Sequence, residues 1–253
     1  MQTLNVKPIS GTMGGLVTDF NLDNLSDEDF NQVANALWKY QVLAFKNQAL
    51  SIESHKRIGT QFGPLHTHPA ASGVEDHPEI LKLLNQGKSK NITQVWHSDV
   101  SCEKKPPSIS ILRAIQLPEA GGDTQWANQY EAYERLTPAM QTMLNPLKAV
   151  HSAFKRESLH PVVRTHPETS RKSLYVNGGF TRRFEGMTDQ ESRPLIDFLV
   201  SHGSSPDLTM RYSWDLGDVV MWDNRCVMHY AIHDYENETR EMHRVTVEGE
   251  VPV

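Results

Sequence analysis

Val219-Val220-Met221-Trp222-Asp223-Asn224-Arg225, followed by His229-Tyr230, is the stretch from which the rest of the chain is read. The apolar run is too short for a helix and reads as a buried strand, and the polar residues after it read as a turn. His229 then follows that turn. Upstream, Leu208, Met210, Tyr212 and Trp214 alternate with polar residues, and Val245 and Val247 alternate near the end. That period of two marks strands with one buried face. Short strands in the C-terminal half, with helices mainly N-terminal, predict a mainly β fold with flanking helices, a double-sheet jelly roll.

Earlier in the chain stands Trp96-His97-Ser98-Asp99-Val100. In an extended segment His97 and Asp99 point the same way, because side chains alternate. His229, on another strand of the same barrel, can complete three neighbouring positions around a metal. Two imidazoles and one carboxylate form the ligand set of non-haem Fe(II) oxygenases, with the opposite face open for substrate and oxygen. The bland readings are a surface turn in which Asp99 caps a backbone amide, and a core His229 bonded to a carbonyl. The same triad also suits zinc. A zinc-dependent hydrolase and a non-catalytic anion-binding jelly-roll protein are therefore the alternatives.

The 253 residues carry no repeat, low-complexity tract or Pro/Gly/Ser-rich linker, so residues 1–253 read as a single domain. At 38% hydrophobic residues, that length supports a substantial core. A net charge of −6 argues against a nucleic-acid partner, which would need a basic face. No apolar run approaches a membrane span, and the N-terminus lacks a signal-peptide pattern. Cys102 and Cys226 are too few for a disulfide framework. These features predict a cytoplasmic protein with no membrane partner. Ser26 is the expected cap of a helix that buries Phe30, Val33, Ala34, Leu37 and Trp38, with Leu25 stapled against Phe30. Val42-Leu43-Ala44-Phe45 reads as a buried strand, and Ser51 as the cap of a second helix. Thr188-Asp189-Gln190-Glu191 is a capping box expected to open a helix that buries Leu195, Phe198 and Leu199.

Trp96-His97-Ser98-Asp99-Val100, Gly121-Gly122-Asp123-Thr124-Gln125-Trp126, the Trp222–Arg225 turn leading to His229-Tyr230, and then Arg240 and Arg244 occur in that order. Together they resemble the Fe(II)/2-oxoglutarate-dependent dioxygenases of the taurine dioxygenase (TauD/TfdA) family. The likeness runs from Gly14-Gly15-Leu16 through Thr246 and is closest between Trp222 and Arg244. It implies a double-stranded β-helix with iron in its mouth, held by His97, Asp99 and His229, and with 2-oxoglutarate and O2 as co-substrates. It also implies a homo-oligomer, as family members often are. Asp99 favours hydroxylation or desaturation, since related halogenases carry a small residue there.

The same resemblance assigns Thr124 and Arg240 to the C5 carboxylate of oxoglutarate. A bidentate guanidinium suits that task better than an ammonium. The bland readings are a β-branched strand former for Thr124 and a solvated charge for Arg240. Arg244 lies four residues on, so both arginines share one face of a strand. Two inward cations imply two anions, the second being a small anionic organic substrate. The family pattern places His68, in Leu65-His66-Thr67-His68-Pro69, beside Arg244 on that substrate; a loop histidine is the other reading. Asn177, with Gly178 and Phe180, reads either as substrate-facing or as a packed strand end. Two departures from the taurine pattern point to longer or less polar anions, such as alkyl sulfates, sulfonates or carboxylates including aryloxyalkanoates. Ala153 to Pro161 is shorter than the taurine enzymes' lid segment, and Gln94-Val95 replaces their Asn-rich approach to the metal.

Overall fold

The computed structural model describes residues 2–69, 73–86 and 94–253. Two sheets enclose its central core. In order of pairing, the larger contains Lys7–Pro8, Gly15–Val17, Val42–Phe45, Val219–Asp223, Ile109–Gln116, Thr239–Val247, His77–Gln86 and Gly73–Val74. Leu65–His66 joins it beside Thr239–Val247. The smaller sheet places Thr124–Asn128 between Thr209–Tyr212 and Val227–Ala231. Neighbouring strands run antiparallel except Gly15–Val17 against Val42–Phe45.

The apolar run at 219–222 has no polar alternation because both of its faces are covered. Val220 and Trp222 join Val42, Ala44, Leu112 and Met242 against Trp126, Met210, Tyr212 and Val227 of the smaller sheet. Val219 and Met221 point the other way, into a layer with Val33 and Leu37 of one helix and Ile58 of another. Each fully buried aliphatic side chain contributes roughly 1.5–3 kcal/mol, so these two layers hold the sheets and helices together. The helices are Asp27–Tyr40 and Ile52–Phe62, capped by Ser26 and Ser51 as expected. In the first, Asp29 completes a reciprocal box with Ser26.

Helices are not confined to the N-terminal half. Gln129–Glu134, Pro138–Leu144 and Asp189–Gly203 lie beyond it, the last opened by the Thr188–Glu191 box. Phe198 is corrected from core to surface. The buried positions of its helix are Ser192, Ile196, Leu199 and Gly203, spaced three and four apart, and Phe198 falls off that stripe at 46% exposure.

Lys148–Ala153 and Arg156–Pro161 form a hairpin. Its two turn residues, Phe154 and Lys155, both have positive φ (51° and 58°), the geometry of a tight two-residue hairpin turn. No described helix is long and apolar enough to cross a membrane.

Candidate active site

His97 and His229 are locked together by their own backbones. The His97 amide donates to the His229 carbonyl at 3.1 Å and the His229 amide donates back at 2.8 Å. This antiparallel bridge sets the ring centroids 4.1 Å apart. Asp99, two residues on, places Oδ1 at 4.0 Å from His97 Nε2 and 3.7 Å from His229 Nε2. All three residues are buried. Bonds of ~2 Å at right angles put neighbouring donors about 3 Å apart, so a slight contraction closes this triad on one ion.

The protonation states fit a divalent metal as well. His97 Nδ1 donates to the Val95 carbonyl at 2.7 Å, which leaves the Nε2 lone pair facing Asp99. Burial holds both imidazoles below their usual range, hence neutral, which is their ligating form. Burial works against the Asp99 carboxylate. The Arg244 guanidinium, helped by the Ser110 hydrogen bond, overcomes it and keeps the carboxyl well below the ordinary range. Two nitrogen lone pairs and one anionic oxygen suit Fe(II).

A cavity of about 210 Å³ opens beside the triad, lined among others by Thr124, Trp222, His229, Arg240 and Arg244. Arg240 is 3% exposed. Its Nε donates to the Gly122 carbonyl at 2.8 Å and its Nη2 to the Thr124 hydroxyl oxygen at 3.4 Å. Trp214 Nε1 donates to the same oxygen at 3.1 Å. With its oxygen accepting twice, Thr124 has its own proton free to donate to a ligand. Both Arg240 partners are neutral, and among the described residues no acidic side chain forms an ion pair with it. Burial pushes the Arg240 pKa down, a penalty that a bound carboxylate relieves.

Arg244 shares the inward face of Thr239–Val247 with Arg240, as a period of two requires. It is not a spare cation, however, because Nη1 donates to Asp99 Oδ1. The expectation that two inward guanidiniums by themselves demand two bound anions is corrected by this pair. His68 lies close enough for the Arg244 charge to act on it, and burial first, then that charge, pushes its pKa down to about 4. Its ring meets Phe154 edge-on at 5.5 Å. Phe154 is 6.2 Å from Phe180, and Phe180 is 6.3 Å from His97. The short 153–161 segment therefore carries no lid-length loop, but its hairpin tip brings an aromatic wall towards His97.

Asn177 is corrected from a substrate-facing residue to a structural one. It is 1% exposed, its Nδ2 donates to Ser101 Oγ at 3.0 Å, and its Oδ1 accepts from the Phe180 amide at 2.8 Å. Those bonds hold the turn that seats Gly179 and Phe180 against His97. A Cβ on Gly179 would come within 3.0 Å of the His97 Cβ. Sequence reading missed the Val95 carbonyl, the Gly122 carbonyl, Trp214 Nε1 and Ser110, whose hydroxyl donates to Asp99 Oδ2 at 2.6 Å. None carries a motif signal, since backbone carbonyls and an ordinary strand serine look alike everywhere.

A second buried group, His166, Asp223 and Cys226, has metal-like composition, but its histidine and carboxylate are already engaged. His166 Nδ1 accepts the Glu168 and Thr169 amides, so its protonated Nε2 donates to Asp223 at 2.8 Å. Arg225 occupies both oxygens of the same carboxylate.

Residues 5–246 match the family model described as taurine catabolism dioxygenase TauD, TfdA family. The chain belongs to the TauD/TfdA family. The match begins ahead of Gly14-Gly15-Leu16 and ends at Thr246. An alkylsulfatase of Acinetobacter baylyi is 33% identical over 99% of this chain and 86% of that protein. An alpha-ketoglutarate-dependent sulfonate dioxygenase of Saccharomyces cerevisiae is 33% identical over 99% of this chain and 68% of its own. A taurine dioxygenase structure from Burkholderia xenovorans superposes with a TM-score of 0.91 at 34% identity, covering 100% of this chain and 93% of that one. As a TauD/TfdA member the chain is a non-haem iron dioxygenase that uses Fe(II), 2-oxoglutarate and O2, and its fold is the family's jelly roll. The comparisons lend no support to the zinc-hydrolase or non-catalytic readings.

Proposed function

We propose that this enzyme oxidises a small organic anion, a sulfate ester, a sulfonate or a carboxylate such as an aryloxyalkanoate, using His97, Asp99 and His229 as iron ligands. The observation that carries the reading is that His229, whose ring nitrogen clusters with the donor atoms of His97 and Asp99, lines one cavity together with Arg240 and Thr124. Bound iron supplies the redox chemistry that couples decarboxylation of oxoglutarate to oxidation of a substrate carbon. Arg240 binds the distal carboxylate of oxoglutarate through its guanidinium, and Thr124 donates its hydroxyl proton to the same group. Trp222 and Leu112 line the cavity and exclude water from it. The Phe154–Phe180 wall packs against the organic part of the substrate, with His68 and Arg244 near its anionic end.

Charge balance supports the anion. With Fe(II) and the oxoglutarate dianion beside Asp99, Arg240, Arg244 and neutral histidines, one positive charge is left over. A monoanionic substrate neutralises it, and an uncompensated buried charge costs several kcal/mol. The names of the relatives, an alkylsulfatase and a sulfonate dioxygenase, support the same chemical class. The shared core supports treating residues 1–253 as one catalytic domain. Two unpaired buried cysteines, Cys102 and Cys226, support a reducing, cytoplasmic setting.

The test is a panel of sulfate esters, sulfonates and carboxylates, each with its neutral isostere, scored by substrate-stimulated succinate release with Fe(II) and oxoglutarate. The anion of the best pair is expected to show at least about a tenfold higher kcat/KM, the equivalent of ~1.4 kcal/mol. Preference for a neutral or cationic compound would overturn the substrate class and leave the iron chemistry standing.

A further inference from the structure

Asp99 has two oxygens, and they have different partners. Oδ1 faces both imidazoles and accepts from Arg244 Nη1. Oδ2 accepts a 2.6 Å hydrogen bond from Ser110 Oγ, within the range of charge-assisted O–H···O⁻ bonds. Ser110 has one proton, and its direction is dictated from the far side. Asn224 Nδ2 donates to Ser110 Oγ at 2.8 Å, so the serine proton is left for the carboxylate. The orientation of the Asn224 amide is fixed in turn, because its Oδ1 meets two groups that can only donate: Trp222 Nε1 at 2.9 Å and the Asp99 amide at 3.2 Å. All these side chains are buried. They come from three separate segments: the Asp99 turn, strand Ile109–Gln116 and the turn after strand Val219–Asp223.

We infer that Ser110 and Asn224 are positioning residues that hold Asp99 as a one-oxygen ligand, with Oδ1 towards the metal and Oδ2 withheld from it. This rests on the reading of Asp99 as an iron ligand. Three protein donors would leave the remaining positions around the ion to the co-substrates. A carboxylate free to turn about its Cβ–Cγ bond can bind through both oxygens and take one of those positions. The serine bond prevents that turn, and the asparagine bond keeps the serine proton pointed correctly.

The experiment is a titration of the metal-free full chain with Co(II) under anaerobic conditions, reading affinity and the visible ligand-field bands, with thermal unfolding followed in parallel. Ser110→Ala removes only the hydroxyl and is expected to unfold within a few degrees of the wild type. It should bind Co(II) about 10–100-fold more weakly, the usual effect of losing such a supporting hydrogen bond, with a changed band shape. Ser110→Thr, which keeps the hydroxyl, should restore both. A merely structural serine would lower the melting temperature and leave the bands of the folded fraction unchanged. Wild-type affinity and wild-type bands in Ser110→Ala would overturn the inference. If Ser110→Ala does not fold, Ser110→Cys, a weak donor, takes its place with the same two outcomes. Asp99→Ala serves as the control. If it too binds Co(II) like the wild type, it is the assignment of Asp99 as a ligand that fails.

Discussion

Arg240 shows how a single residue changes meaning between a sequence and a fold. In the run Glu238-Thr239-Arg240-Glu241 it reads as a surface charge, yet the structure leaves it 3% exposed, with neutral hydrogen-bond partners in Gly122 and Thr124 and no acidic ion-pair partner among the described residues. A guanidinium held that way is prepared for an incoming carboxylate. Arg240→Ala is expected to weaken oxoglutarate binding by about 2–5 kcal/mol, roughly tenfold per 1.4 kcal/mol. Isothermal titration of the Fe(II)-loaded enzyme with oxoglutarate, carried out anaerobically, measures it; an unchanged Kd would remove Arg240 from the co-substrate site. The candidate triad could be picked out at this scale because His-x-Asp and a distant histidine form a recognisable pattern, and the fold brings the three together. Asn177 stayed open between a substrate-facing and a packed role because a buried amide and a ligand-facing amide have the same letter.

At the scale of elements, capping residues and alternation were reliable guides. Ser26, Ser51 and Thr188 each begin a helix, and the 42–45 and 219–223 segments are central strands. Local stereochemistry dictates these features, so they needed no tertiary information. The Gly121-Gly122 turn shows what such local chemistry does for the site. Both glycines have positive φ, 83° and 71°, and a Cβ on Gly122 would come within 3.0 Å of the Arg240 Cδ. The turn thereby brings the Gly122 carbonyl to Arg240 and starts the strand that carries Thr124. Gly122→Ala is expected to lower stability by about 1–2 kcal/mol through left-handed strain and to raise the KM for oxoglutarate more than that for the organic substrate. Equal changes in both KM values would show that the turn does not act through Arg240.

At the scale of the whole molecule, burial of histidines makes stability depend on acid. His55, between a helix and the larger sheet, has Nε2 3.0 Å from the Ile111 carbonyl, and burial pushes its pKa from 6.5 down to about 4. The folded chain keeps it neutral while the unfolded chain takes up a proton. Its contribution to stability is therefore fully present above pH 6.5 and is lost as pH falls towards 4, by about 1.4 kcal/mol per pH unit. His55→Gln can still donate to the carbonyl but cannot titrate. Urea unfolding at several pH values between 6 and 4.5 should give a stability slope shallower by one proton in this variant, whereas parallel slopes would mean that His55 protonates within the fold.

The sequence alone determined the jelly-roll class, the helix starts, His97, Asp99 and His229 as a candidate triad, and the inward face shared by Arg240 and Arg244. Each follows from spacing, capping chemistry or a motif order that is recognisable along the chain. Tertiary structure decided what Arg244 pairs with, which oxygen of Asp99 faces the two imidazoles, where Asn177 spends its hydrogen bonds and that Phe198 lies outside the core. Those outcomes depend on segments roughly a hundred residues apart meeting in a buried space, where partners are chosen by ångström-scale proximity and desolvation rather than by neighbours in the chain.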